Sequence, residues 1–403
     1  MSDIRTLLLG GLIAAAALAA GATAAQAQNE IKLGAIVPSS GPFAEWGRSN
    51  TVTLNMLEKQ INDAGGVNGA KLKITIYDDS AKPAQAANAL RKLAGDDQVL
   101  AVAGPLTSSA CEVTFPVANE MQIVSTSQAS SKPGVAKANR PWAFRNTVDE
   151  GILAKTSAPY FKKTFNVKSA AVIYDAKDAV STAIATKIMP AVLAANGIDV
   201  INGKDPVSFN TGDLDVSAQI TKLKSLNPDG VVIGADYSQA ITVIREMKRQ
   251  GMIKPVIGGT PLISSAILAA APDIPIVAPA TFYATMKTAT AEKFVSALQP
   301  LLRKTSGLPP DIEPSMYDAN IYEIVNMYVD AVKQGPIAGN PADLAAARVK
   351  IRDYLTNLKG FEGFSGPIHF GPDGDAVKTF FIVQGQNGAW QTKASACSAA
   401  GGC

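Results

Sequence analysis

Residues able to carry covalent or acid–base chemistry are few in this chain of 403 residues. His369 is its only histidine, and Cys111, Cys397 and Cys403 are its only cysteines. A zinc-protease helix needs two histidines one turn apart, so that chemistry is excluded, and neither a phosphate-cradling G-x-x-x-x-G-K-[ST] run nor a G-x-S-x-G nucleophile elbow occurs. Any Ser/His/Asp or Cys/His pair would have to use His369. It lies in Gly366-Pro367-Ile368-His369-Phe370 before a Gly371-Pro372-Asp373-Gly374 turn and reads as an ordinary strand histidine. Cys111 reads as a buried structural thiol. Cys397 and Cys403 bracket a short Ser/Ala/Gly loop that an oxidising compartment would allow to close as a disulfide. Asp78-Asp79 is an acidic pair at a strand end without further ligands, so it reads as capping structure and not as a metal site.

The composition points the same way. The 37 Lys and Arg against 34 Asp and Glu give a net charge of +3, with 47% hydrophobic and 18% charged residues, an ordinary globular balance with no nucleic-acid footprint. Residues Leu7 to Ala25 carry no charge and end in Ala25-Gln26-Ala27, a small-x-small cleavage pattern, so residues 1–27 are expected to be a signal peptide cut before Gln28. A single anchoring helix is the competing reading. No cysteine follows the cut for lipid attachment, and the periplasm is the expected location.

The elements that must position any site alternate. Ile31 to Val37 is a β-branched run, then Leu54, Leu57 and Ile61 recur at helical spacing, and Lys71 to Tyr77 alternates as a strand. Helix Ala84 to Ala94, strand Val99 to Ala103, helix Ser109 to Asn119 and strand Ile123 to Thr126 continue the pattern. A second series follows Trp142: helix Leu153 to Phe165, strand Ala170 to Tyr174, helix Thr182 to Ala195, strand Asp199 to Val207, helix Val216 to Leu226, strand Gly230 to Gly234, helix Ser238 to Gly251 and strand Val256 to Gly258. Repeated β-α-β predicts α/β architecture with parallel, doubly wound sheets. Late helices Ala291 to Lys304, Tyr317 to Lys333 and Pro341 to Leu358, then strands Pro367 to Phe370 and Thr379 to Val383, do not fit two domains laid end to end. Gly65-Gly66-Val67-Asn68-Gly69 follows a helix and is read as a turn.

Several stretches, in order, resemble the leucine/isoleucine/valine-binding periplasmic proteins of ABC transporters: Ile31-Lys32-Leu33-Gly34-Ala35, Ser40-Gly41-Pro42, Ile61 through Gly69, Tyr77-Asp78-Asp79, Gly104-Pro105-Leu106-Thr107-Ser108-Ser109, Tyr174-Asp175 and Gly366 to Gly374. The resemblance implies the type I periplasmic-binding-protein fold, two Rossmann-like lobes joined by three crossovers. Lobe one would take 28–145 plus 283–366, lobe two 146–282 plus 367–393, and 394–403 would be a C-terminal tail. It further implies no enzyme activity, no cofactor, a monomer, and an ABC permease as partner.

The same resemblance nominates the ligand contacts. Leu106, Thr107 and Ser108 would hold a ligand carboxylate, with N-capping as the alternative role for Ser108. Gln128 and Ser130 fall in a second lobe-one ligand loop. Trp46 is a cleft-rim aromatic, and Tyr237 would close from lobe two. One departure stands out: Thr260, in Gly258-Gly259-Thr260-Pro261, occupies the place where amino-acid binders put an acid against the ligand ammonium. An unpaired buried ammonium costs about 3 to 5 kcal/mol. The expected ligand is therefore a small hydrophobic carboxylate without an α-ammonium, such as an aromatic or keto acid. The alternatives are a branched-chain amino acid with Asp236 as its counter-ion, and a periplasmic ligand-sensing receptor.

Overall fold

The computed structural model describes residues 30–335, 343–386, 388–399 and 402–403; the expected signal peptide lies outside them. Two parallel-stranded sheets organise the chain. In the first, β1 (Glu30–Val37), β2 (Lys71–Asp78), β3 (Ala101–Ala103), β4 (Val124–Ser127) and β5 (Ala143–Arg145) run in the order β2-β1-β3-β4-β5, all parallel. In the second, β6 (Ser169–Asp175), β7 (Asp199–Val200), β8 (Val207–Phe209), β9 (Gly230–Gly234), β10 (Val256–Gly258) and β11 (Ile276–Ala280) are parallel, with β6 beside β7, β8 and β9. A three-stranded antiparallel ladder, β12 (Phe361–Gly363), β13 (Gly366–Phe370) and β14 (Ala376–Val377), precedes β15 (Thr379–Gln386) and β16 (Ala389–Cys397), which add antiparallel to β11.

Period-2 alternation explains why both faces of each sheet are covered. On β1, Ile31, Leu33, Ala35 and Val37 join one core cluster, while Ile36 faces another with Val102 and the helix residues Leu90 and Leu93. On β6, Ala171 and Ile173 face the helix Tyr237–Arg249 side; Ala170 and Val172 face Leu153 and Phe161 of helix Glu150–Phe165. Among the described residues no helix is long and apolar enough to cross a membrane.

The chain passes between the sheets after β5, after β11 and again between β14 and β15. Helix Met316–Gln334 receives all three passages. Lys378, at the last, is 1% exposed and pairs with Glu323 of that helix at 2.8 Å, and also donates to Asn320 Oδ1 and to Asn146 of the first passage. At the second, the Thr281 amide meets Met316 Sδ.

The structure departs from the sequence expectation in several places. Residues 367–377, assigned to lobe two, pack with lobe one: Ile368, Phe370 and Ala376 enter the core cluster of Leu33 and Phe144. The third passage is thus at Lys378, because β13 pairs with β12 and β14 before β15 crosses over. Ala394 to Cys397, assigned to a tail, complete β16 opposite Thr379 to Ile382, and a disulfide joins Cys397 to Cys403. The strand expected over Asp199 to Val207 is two short strands, β7 and β8. Helix starts also move: the stretch expected from Thr182 is helical from Ala179, with a π-turn at Ile184–Ile188.

Candidate functional site

Most of the residues nominated from sequence converge beyond the C-terminal ends of parallel strands, where open α/β sheets present loops and helix N-termini to ligands. After β1 the chain turns into helix Ala44–Asp63 and brings Trp46 to its first turn. After β3, Gly104 sits at φ +119°, where a Cβ would lie 2.3 Å from the Ile36 carbonyl oxygen. Only glycine lets the chain cross β1 so closely and deliver Leu106, Thr107 and Ser108. After β4, Ser127 Oγ donates to the Pro105 carbonyl at 2.7 Å and accepts from the Ser130 amide at 3.0 Å, tying the two lobe-one loops together.

Thr107, not Ser108, is the N-cap of helix Ser108–Glu120: its side chain accepts from the Ala110 amide. That leaves the Ser108 hydroxyl for the Ser130 hydroxyl, 2.9 Å away, and places two hydroxyls and a positive helix terminus together. From lobe two, Asp178 follows β6 and Asp236 follows β9. Each caps the next helix, Asp178 accepting from the Ser181 amide and hydroxyl, Asp236 from the Ser238 amide and hydroxyl and the Gln239 amide. All three Asp236 bonds use Oδ1, leaving Oδ2 outside the cap.

One cleft gathers Trp46, Leu106, Thr107, Ser108 and Asp236, with Phe43, Ala129, Asp178, Val180, Pro261 and Tyr317 completing its wall. Tyr237 stands beside it, its ring 5.3 Å from that of Trp46, so the lobes meet over the cleft. Tyr317 meets Trp46 edge-on at 4.6 Å. Ser130 reaches the site through Ser108. Gln128 does not line the cleft: its amide donates to Asn50, which donates to Asp318, and its carbonyl accepts from Asn320. Thr260 also stands behind the wall, its amide and hydroxyl both donating to Glu150 Oε1.

The electrostatics are acidic. Burial pushes Asp236 up to about 6, despite its capping bonds, with Asp178 adding repulsion; burial likewise raises Asp178. Burial pushes Glu150 up to about 7, against the Thr260 bonds. No Lys or Arg is among the residues lining the cleft. Burial and the nearby Glu45 carboxylate push the Tyr237 phenol up as well.

Sequence reasoning missed Asp178 and Tyr317. Asp178 carries the signal that flagged Asp236, an acid between a strand and a helix. Tyr317 lies in the first turn of a helix opened by the Ser315/Asp318 capping box, but nothing local says that this helix crosses back to the cleft. The nucleophile candidates lie elsewhere. Cys111 is buried, with its thiol pushed up to about 12 by desolvation, and His369 is half-buried on β13 opposite Val377. Asp78 and Asp79 accept amide bonds within their own loop. Among the described residues no group of His, Cys, Asp and Glu is placed to hold a metal ion.

Two doubly wound lobes crossed three times by the chain, with a polar and aromatic cleft between them, define a solute-binding protein. The chain belongs to the periplasmic binding protein family, whose model matches residues 30–389. A curated relative, the leucine-, isoleucine-, valine-, threonine- and alanine-binding protein of Pseudomonas aeruginosa, is 29% identical over 269 residues, 66% of this chain and 70% of its own. In fold it is similar to the branched-chain amino acid binding protein LivJ of Streptococcus pneumoniae solved with isoleucine, at TM-score 0.76 and 24% identity, covering 91% of this chain and 99% of that one. A solute-binding protein of R. palustris solved with benzoate matches at TM-score 0.77 and 17% identity, over 92% and 96%. Such proteins are not enzymes; they bind small molecules and deliver them to the permeases of ABC importers.

Proposed function

We propose that this protein captures an α-amino acid with an apolar side chain and presents it to an ABC permease. The observation that carries this is the pairing of Asp178 and Asp236 on one wall with Ser108 at a helix N-terminus on the other, with no basic residue lining the cleft. A zwitterion satisfies both walls: the carboxylate takes Ser108 and the helix terminus, the ammonium takes the lobe-two acids, and the side chain lies against Phe43, Trp46 and Tyr317. The ligands named for the Pseudomonas and Streptococcus relatives support the same class.

A carboxylate lacking the ammonium is the second reading, favoured by Thr260 in place of the clamp acid and by the benzoate held in the R. palustris structure. It would bring a negative charge to two carboxylates.

Thermal stabilisation by amino acids and their desamino counterparts, measured from pH 5 to 8, separates the two, because a ligand that binds only the native state raises the midpoint. An ammonium favours the ionised acids, so amino-acid affinity should strengthen as pH rises through about 6 to 7, the folded-state values of Asp236 and Glu150. A desamino acid should weaken over the same range. Stabilisation by desamino acids alone, fading as pH rises, would replace the first reading with the second.

A further inference from the structure

We propose that Glu150 supplies the counter-charge for the ligand ammonium through the Thr260 hydroxyl, which makes Glu150 a specificity-determining positioning residue of the cleft. The inference rests on the amino-acid reading above and deepens it.

Glu150 opens helix Glu150–Phe165 just past the first passage between the lobes, and its amide donates to the Ser131 carbonyl of the second lobe-one loop. Its side chain reaches Thr260, beyond β10. Oε1 accepts both the Thr260 amide at 3.0 Å and the Thr260 hydroxyl at 2.5 Å. A hydroxyl whose proton is committed to a carboxylate has only lone pairs left for other partners, so Thr260 becomes an acceptor backed by a negative charge. Thr260 stands directly behind Pro261, which lines the wall together with Tyr317. The approach depends on Gly259, where a Cβ would lie 2.7 Å from Glu150 Oε2 and 2.6 Å from Ile184 Cδ1.

Among the described residues the charge on Glu150 has no cationic partner. The residue is 1% exposed, Oε2 makes no well-formed hydrogen bond, and among the described residues no Lys or Arg pairs with it. Arg145, five residues before it, is taken by Asp149 and Asp375, and Asp149 adds like-charge repulsion to Glu150. A buried carboxylate with hydrogen bonds but no counter-ion either takes up a proton or waits for a cation. The ligand ammonium is that cation. The acid expected at position 260 is thus present in space, carried by another helix and presented through the threonine.

The test is calorimetric titration of wild type, Glu150→Gln and Thr260→Val with leucine and 4-methylpentanoate, and with phenylalanine and 3-phenylpropanoate. Wild type should prefer the amino acid in at least one pair. Each variant should shrink that preference by about tenfold or more, the scale of a hydrogen bond to a charged group, while the desamino acid binds as before or better. Thr260→Val is isosteric and carries the test even where Glu150→Gln loses its fold. Adding Thr260→Glu to Glu150→Gln should restore the preference by moving the acid onto the loop, which a merely structural role for Glu150 does not predict. An unchanged preference ratio in both single variants overturns the inference and leaves the amino-acid reading standing. A wild type that prefers the desamino partner in both pairs overturns the reading itself.

Discussion

Thr107 and Ser108 are adjacent, both carry hydroxyls, and have different work. Thr107 accepts the Ala110 amide and so holds the helix end; Ser108 meets Ser130 and faces the cleft. Thr107→Ala should therefore lower global stability by about 1 kcal/mol, the usual loss of an N-cap, seen as a shifted denaturant midpoint. Ser108→Ala should leave that midpoint within about 1 kcal/mol but weaken ligand binding about tenfold in calorimetric titration. Equal affinity in Ser108→Ala and wild type would remove Ser108 from the contact set. Such a division is invisible in the sequence Leu106-Thr107-Ser108-Ser109, where any of the three hydroxyls can cap.

Helix Met316–Gln334 is the element on which the three passages between the lobes meet. It contributes Tyr317 to the cleft, Asp318 and Asn320 to the bonds under the Gln128 loop, and Glu323 to the buried pair with Lys378. Glu323 is fully engaged: Oε1 accepts the Phe364 amide, Oε2 accepts Lys378 and Asn146. Lys378→Met would leave a buried carboxylate without its cation and should cost about 3 to 5 kcal/mol in urea unfolding. A loss below about 1 kcal/mol would mean that the Asn146 and Phe364 bonds suffice. Glu323→Gln together with Lys378→Met should recover part of the loss by removing the stranded charge. Since Lys378 also touches Asn146, the pair holds two passages between lobes at one point.

At the scale of the whole molecule the acids set a pH dependence. Asp79 and Asp236 are pushed up to about 6 and Glu150 to about 7, each mainly by burial. A carboxyl raised in the folded state holds its proton more tightly there, so its contribution to stability is complete below the ordinary value near 4 and lost as pH rises through 6 to 7. Ligand-free protein should melt at lower temperature at pH 8 than at pH 5, and a saturating amino acid should narrow the difference by favouring the ionised acids. A flat midpoint from pH 5 to 8 would contradict the burial of these groups. Asp78, Asp215 and Asp229 are shifted downward and titrate below this window.

The strand and helix alternation and the class of fold were legible because each depends on local periodicity and nearby turn residues; Trp46, Ser108 and Tyr237 were nominated by the family resemblance, not by periodicity. Strands β5, β11 and β16 were not legible: β5 is three residues long, β5 and β16 lie on sheet edges, and β11 takes one side of its pairing from the distant β15. The lobe assignment of 367–377 failed for the same reason: Ile368 and Phe370 alternate like any strand, and only packing against Leu33 and Phe144 decides which core they enter. The sequence by itself determined an α/β binding architecture and a threonine where an acid was expected. Only the tertiary structure brought Glu150 to Thr260 across 110 residues and set Asp178 beside Asp236, because burial and charge are properties of what surrounds a residue in space.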